Sequence, residues 1–517
     1  MEEGKKEEIS KGLKLIAQSS VFVFMAFMFS KIFGYLYRIV IARHFGPEVY
    51  GLFSLSIVIV GWFVAISWLG FVEGILRYVS LYRGSKDLNK IRYLFRFSSR
   101  ILIFSTLFFS LMLFLLSNTI SNSIFHNPNL RMYLQIFSMM LPLWVFSSYF
   151  LAIMRAFEKI KEVSLIEGIM QSLLKILLLI ALIYLGFKSE AIIFSFFLSI
   201  MAIFLLSFFY CRLKISEMFE PYNLDRMDRR RLAQNFVAYS WPILFLGIAS
   251  SIFYWIDSFA IGYFKSATEV GLYNAVIPIV ILLNIAPEMF MQLFFPMITK
   301  KYSVKDMPFI KEISKQIAKW VVLINLPLFS IILIFPDIII KVLFGADYTI
   351  AADSLRILAV GVFVSSVILI SNNLLSMIGK SKTILYDIFI ASSINLALNI
   401  YLVPQKSIFG MGNSLGINGA ALATSISVIV FSLLLLFQAK YYVSIIPFKK
   451  EMVKIFGACL LPLTLILISK NFVKTNILSF VILSFLLVAI YLSLLFLFKI
   501  FDSNDMMIIR SVKQKLF

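Results

Sequence analysis

Apolar residues in this chain arrive in long blocks separated by short polar connections, not in the alternation of a half-buried strand. The blocks run over residues 14–42, 49–72, 97–117, 132–154, 160–185, 191–211, 236–262, 270–297, 316–335, 352–378, 383–403, 416–438, 453–469 and 476–498. At ~1.5 Å per residue most of them cross a hydrocarbon layer of ~30 Å as helices. The pattern predicts an all-α polytopic membrane protein with about fourteen transmembrane helices. The first two blocks form a hairpin. It runs from Ser30 through His44-Phe45-Gly46-Pro47 to Gly51, and a similar text recurs from Ile256 to Val276: a polar residue in the helix, a short turn, then Glu-Val and Gly-Leu-aromatic.

That recurrence marks a duplication. The most polar connection, Lys214 to Phe236, separates two sets of six spans, giving an N-terminal lobe over 1–225, a second over 226–445, and two additional helices with a tail over 446–517. An even number of spans per repeat makes the repeats parallel, related by an axis along the membrane normal. Loop charge sets the orientation. Arg77, Arg83, Lys86, Lys90, Arg92, Arg96 and Arg100 follow the second run; Arg226, Arg229, Arg230 and Arg231 follow the sixth; Lys300, Lys301, Lys305, Lys311 and Lys315 follow the eighth. These connections are read as cytoplasmic. The alternate ones hold about one cation each, namely Arg131, Lys188, Lys265, Lys341 and Lys406, so both termini are expected in the cytoplasm. The charged N-terminus shows no small-residue cleavage site, and insertion by the first span itself is expected.

Composition agrees with the pattern. Hydrophobic residues make up 61% of the chain and charged residues 15%, against about 25% charged in a soluble domain. The net charge of +21 is that of loops obeying the positive-inside rule, so no nucleic acid partner is expected. Cys211 and Cys459 supply no disulfide framework, and His44 and His126 have no ligands at metal-binding spacing.

Charged residues inside the apolar runs carry the candidate chemistry, since each costs about 2.5–3.5 kcal/mol near the bilayer centre. They are Lys31, Arg38, Lys175, Asp257, Glu288 and Asp387. Lys31 and Arg38 lie seven residues apart on one helix face. Either they snorkel to the outer headgroups or they form a cationic wall that suits a diphosphate. Laying the repeats over one another sets Asp257 opposite Arg38, which allows an ion pair at an outer gate or separate neighbours within each bundle. Glu167, Gln171 and Lys175 fall at i, i+4 and i+8, a stripe that lines a pathway or forms a seam in which Glu167 and Lys175 satisfy one another. Asn284, Pro287 and Glu288 combine a proline with a carboxylate, a kink or an ion site. Glu73 and Arg77 are placed for a local salt bridge, Asn395 and Asn399 share a face, and Gly419 and Ala423 suit close helix packing.

Enzymatic signatures are missing. Gly379-Lys380-Ser381 resembles the end of a P-loop, but Leu374 occupies the place of its first glycine; Gly410, Gly412 and Gly416 miss the dinucleotide spacing. No outer connection is long enough to carry a catalytic domain.

Arg43-His44-Phe45-Gly46-Pro47-Glu48-Val49-Tyr50-Gly51-Leu52-Phe53 resembles the signature of the polysaccharide flippases in the multidrug/oligosaccharidyl-lipid/polysaccharide (MOP) exporter superfamily. Ile256-Asp257 with Glu269-Val270-Gly271-Leu272-Tyr273, Leu343-Phe344-Gly345 before Ala351-Ala352, and Gly416 to Thr424 are similar to that family in order and spacing. The resemblance covers residues 10–440. It implies a V-shaped, monomeric, non-enzymatic exporter of two six-helix lobes in the cell membrane. Such a protein moves a polyprenyl-pyrophosphate-linked oligosaccharide, among membrane lipids, to the outer leaflet by alternating access. Lys31, Arg38 and Lys175 would contact the diphosphate, while Asp257, Glu288 and Asp387 would gate or bind a coupling cation, Na+ or H+. No cofactor is implied. Ser30-Lys31-Ile32-Phe33-Gly34 is also similar to the Ser-Arg-x-x-Gly of lipid II flippases, but lysine replaces the arginine and a second arginine is displaced to Arg38. A cation-coupled drug exporter of the same superfamily is the remaining alternative, with a carboxylate-dominated pocket.

Overall fold

A computed structural model describes residues 2–405, 415–472, 476–498 and 500–501. Lys406, Gly410 and Gly412 lie outside the described residues. All regular structure among the described residues is helical, in the order α1 (Glu2–Ser67), α2 (Phe71–Gly84), α3 (Leu88–Thr119), α4 (Asn129–Ala156), α5 (Ile160–Val163), α6 (Gln171–Tyr184), α7 (Glu190–Lys214), α8 (Arg226–Phe264), α9 (Ala267–Ser303), α10 (Met307–Ile334), α11 (Pro336–Leu343), α12 (Ala352–Met377), α13 (Ser381–Leu402), α14 (Gly416–Val443), α15 (Glu451–Phe472) and α16 (Ile477–Leu497). Among the described residues, thirteen segments are long and apolar enough to cross a membrane. The first, Met25–Ser67, has 43 residues, about 65 Å of helix and twice what a bilayer needs. It is two helices that meet at Gly46, whose φ of 79° and ψ of 176° are not helical. Glycine tolerates that backbone, and Pro47 follows with a φ already suited to a new helix. Split there, the segments number the fourteen expected.

The chain divides into two compact units, Met1–Gly271 and Leu272–Phe517, with the division inside α9. This falls beyond the duplication boundary at 225, because α8 packs on α1, α2 and α3 of the first unit. In that unit the later half of α1 runs antiparallel to α8: a Cβ on Gly51 would overlap the Ala267 carbonyl, and one on Gly70 would overlap the Ser240 carbonyl. The earlier half packs on the helix preceding and including α6, with Gly168 against Ala26 and the Ser30 and Ser172 hydroxyls 3.1 Å apart.

Two expected ion pairs are replaced. Arg77 does not join Glu73 among the described residues; its guanidinium lies 4.1 Å from the ring centre of Tyr239 on α8, a cation–π contact that ties α2 to α8. The Glu167–Lys175 seam does not form either. Residues Ser164–Met170 are a π-helix, whose wider turn shifts the register on which i, i+4 spacing depends. Glu167 turns to Arg155 of α4 and forms a salt bridge there.

The second unit is held by close backbones. A Cβ on Gly361 of α12 would stand 2.7 Å from Ser425 Cα of α14, and one on Gly419 2.8 Å from the Leu402 carbonyl oxygen of α13. Ala423 is fully buried beside them, as the small-residue spacing predicts. The α15–α16 pair docks through Ile466, Leu483 and Leu487 on Ile334 and Phe335. Lys470 Nζ donates to the Ile334 carbonyl at 2.8 Å, and Tyr491 to that of Leu323 at 3.1 Å. Lipid tails are as apolar as leucine, so these contacts stabilise through fit and hydrogen bonding.

Gly361→Val should therefore destabilise the purified protein by about 1–3 kcal/mol. Gly457→Ala, where an added Cβ meets no atom within 4 Å, should not lower the thermal midpoint. Equal effects would contradict the packing.

Candidate functional site

Three of the six charges expected inside the bilayer lie on α1 and α6, and the structure brings two of them together. Arg38, on the earlier half of α1, is half-buried and hydrogen-bonds the fully buried Tyr50 beyond the Gly46 break. Lys175 of α6 stands close enough to Arg38 to feel its charge. Its Nζ sits 4.7 Å from the Phe196 ring centre and 5.6 Å from that of Tyr37. Tyr37 is fixed in turn, its hydroxyl donating to the Ile192 carbonyl at 3.3 Å and lying 3.1 Å from Ser195 Oγ. Two aromatic rings from different helices thus hold the ammonium within reach of the Arg38 charge. Neither Arg38 nor Lys175 forms an ion pair with a carboxylate among the described residues. Lys31 lies two turns before Arg38, its Nζ 5.1 Å from the Phe27 ring. A cavity of about 510 Å³ opens beside that turn, lined by Phe27, Ser30, Arg155, Glu167 and Gly168.

Like charges held together in low dielectric repel, and cation–π contacts of ~0.5–2 kcal/mol solvate a cation without neutralising it. Asp257, also in this unit, is buried on α8; the partner that Arg38 takes here is Tyr50.

The remaining carboxylates belong to the second unit. Glu288 is half-buried on α9, and that helix continues through Pro287. Asp387 is buried on α13. Its Oδ1 accepts from Gln438 Nε2 at 2.8 Å, while Oδ2 has no hydrogen-bond partner. Further along the same seam Asn395 Nδ2 donates to Thr424 Oγ1 at 3.1 Å.

Sequence reasoning missed the residues that shape this site. Tyr37 and Phe196 lie far apart in the chain, and no spacing links them. Gly51 and Gly271 were visible only as parts of a repeated text. In the structure they interlock reciprocally, since a Cβ on Gly51 would overlap the Ala267 carbonyl and one on Gly271 the Pro47 carbonyl. The two duplicated turns therefore meet backbone to backbone.

The helical architecture and the apolar spans define a multi-pass membrane protein, and the comparisons place it in the MOP superfamily. Residues 16–302 match the family model described as polysaccharide biosynthesis protein, and residues 242–401 match the MatE model. The chain belongs to the polysaccharide biosynthesis protein family. It is 25% identical over 406 residues to a Shigella flexneri protein named "Putative O-antigen transporter", covering 76% of this chain and 90% of the relative. It is 27% identical over 213 residues to the Haloferax volcanii "Probable low-salt glycan biosynthesis flippase Agl15", covering 41% and 43% of the two chains. Among solved structures, the inward closed conformation of the lipid II flippase MurJ superposes with a TM-score of 0.73 at 18% identity, over 92% of this chain and 98% of that one. An inward-facing multidrug resistance MATE transporter gives 0.66 at 14% identity, over 80% and 94%. At these identities the two structures share the fold.

Gly51→Val and Gly271→Val should each cost about 1–3 kcal/mol in thermal stability. The double variant should lose no more than the worse single one, because both remove one shared contact. Additive losses in this cycle would mean two independent contacts.

Proposed function

We propose that this protein is a flippase that carries a polyprenyl-pyrophosphate-linked oligosaccharide from the cytoplasmic to the outer leaflet of the cell membrane, for surface polysaccharide or glycan synthesis. One observation carries the reading: Arg38 and Lys175 lie in membrane-spanning helices close enough to feel one another's charge, with no carboxylate paired to either among the described residues. A diphosphate supplies the missing negative charge, and charge-assisted hydrogen bonds from guanidinium and ammonium hold it. Lys31, two turns away on the same helix face, extends the cationic wall toward the cavity beside Ser30. The sugars travel through a polar interior while the lipid tail stays in the bilayer. The names of the O-antigen transporter and glycan flippase relatives support the substrate class. The cationic pair disfavours a positively charged drug.

Movement is by alternating access, with the termini in the cytoplasm as loop charge indicates. Asp257, Glu288 and Asp387 are the residues for gating or for a coupling cation. Asp387 is the strongest of the three for coupling, because a buried carboxylate oxygen without a donor is a place for Na+ or H+.

The test is leaflet transfer of a lipid-pyrophosphate-oligosaccharide in vesicles containing the purified chain. Native protein should transfer it. Arg38→Ala and Lys175→Ala should each slow transfer at least about tenfold, the loss of one charge-assisted contact, with Lys31→Ala also reduced. No transfer by the native chain, with ion-driven efflux of small cations, would replace this reading by a drug exporter.

A further inference from the structure

The polar connection between the repeats is built into a second basic site that shares no residue with Arg38 and Lys175. A cavity of about 430 Å³ lies between α3 and the chain entering α8. Arg96 and Arg100 of α3 and Arg226 and Arg229 of α8 line it, with Tyr93 and Tyr222 in its wall. The walls are fixed. Arg92 donates to the Glu217 and Pro221 carbonyls at 2.8 and 3.4 Å and pairs with Glu220, and the Asn223 N–H donates to Asn89 Oδ1 at 3.1 Å. Tyr93 and Tyr222 meet edge to face at 5.3 Å.

None of the four lining arginines forms an ion pair among the described residues. Arg96 spends one nitrogen on the Phe219 carbonyl, at 3.1 Å, and lies over the Tyr222 ring at 5.5 Å. Arg229 Nε is buried without a hydrogen-bond partner. Of the nearby acids, Glu220 pairs with Arg92. The positive-inside rule accounts for basic residues in this connection. It does not gather four guanidinium groups around one aromatic-walled hollow or leave a buried donor unmet.

Tyrosines at the end of a membrane helix mark headgroup depth. A basic pocket there suits a phosphodiester, which accepts several N–H donors at once. We propose that this cavity binds the phosphate headgroup of an anionic phospholipid from the leaflet facing the cytoplasm, bridging α3 to the start of α8.

The test is native mass spectrometry of the full chain released from bilayers of equal phosphatidylglycerol and phosphatidylcholine. The parent should retain phosphatidylglycerol preferentially, and Arg100→Gln/Arg226→Gln should cut that retention about tenfold. Neither side chain forms a hydrogen bond or ion pair among the described residues, so the fold should survive, as an unchanged thermal midpoint would verify. Arg131→Gln/Lys188→Gln, in connections on the opposite side, should retain the lipid like the parent. Equal retention by Arg100→Gln/Arg226→Gln and the parent would overturn the proposal. So would complete displacement of the lipid by millimolar inorganic phosphate, which would mark a site for soluble phosphate.

Discussion

Placing two cations within reach of one another's charge inside a bilayer is the constraint on which this structure turns. Each cation costs about 2.5–3.5 kcal/mol at the centre of a membrane, and proximity adds repulsion. The protein meets that cost with polarisable and hydrogen-bonding groups in place of a counter-carboxylate. Phe196 and Tyr37 take the ammonium of Lys175, and Tyr50 takes the guanidinium of Arg38. The charge is solvated but not cancelled. The side chains involved come from α1, α6 and α7 of the first unit.

Two departures from regular helix make the arrangement possible. The break at Gly46-Pro47 folds the first 66-residue element so that Tyr50 can meet Arg38 from beyond the turn. The π-helix at Ser164–Met170 diverts Glu167 to Arg155. The MurJ-like and MATE-like fold is shared at low sequence identity, so the helix breaks are features of this chain's own sequence.

The apolar runs, the hairpin at Gly46 and the packing role of Gly419 were legible because hydropathy, turn residues and small-residue spacing are local signals. Lys31, Arg38 and Lys175 were legible as misplaced charges. Their neighbours were not. A π-helix leaves no mark in the spacing of Glu167, Gln171 and Lys175, so the seam read from an i, i+4 rule gave the wrong partner. Arg77 likewise had a carboxylate at helical spacing, yet Tyr239, more than 150 positions later, offers its ring instead. The reciprocal contact of Gly51 and Gly271 was hidden for a similar reason: duplication shows that two turns are alike, and only the fold shows that they touch.

The central claim is that Arg38 and Lys175 are held unneutralised for a diphosphate. Equilibrium binding of a polyprenyl-pyrophosphate oligosaccharide, compared with its monophosphate counterpart, tests it most directly. The native protein should prefer the pyrophosphate by about tenfold, and Arg38→Gln/Lys175→Gln should bind the two alike. A native protein without that preference, or a double variant that keeps it, would contradict the account.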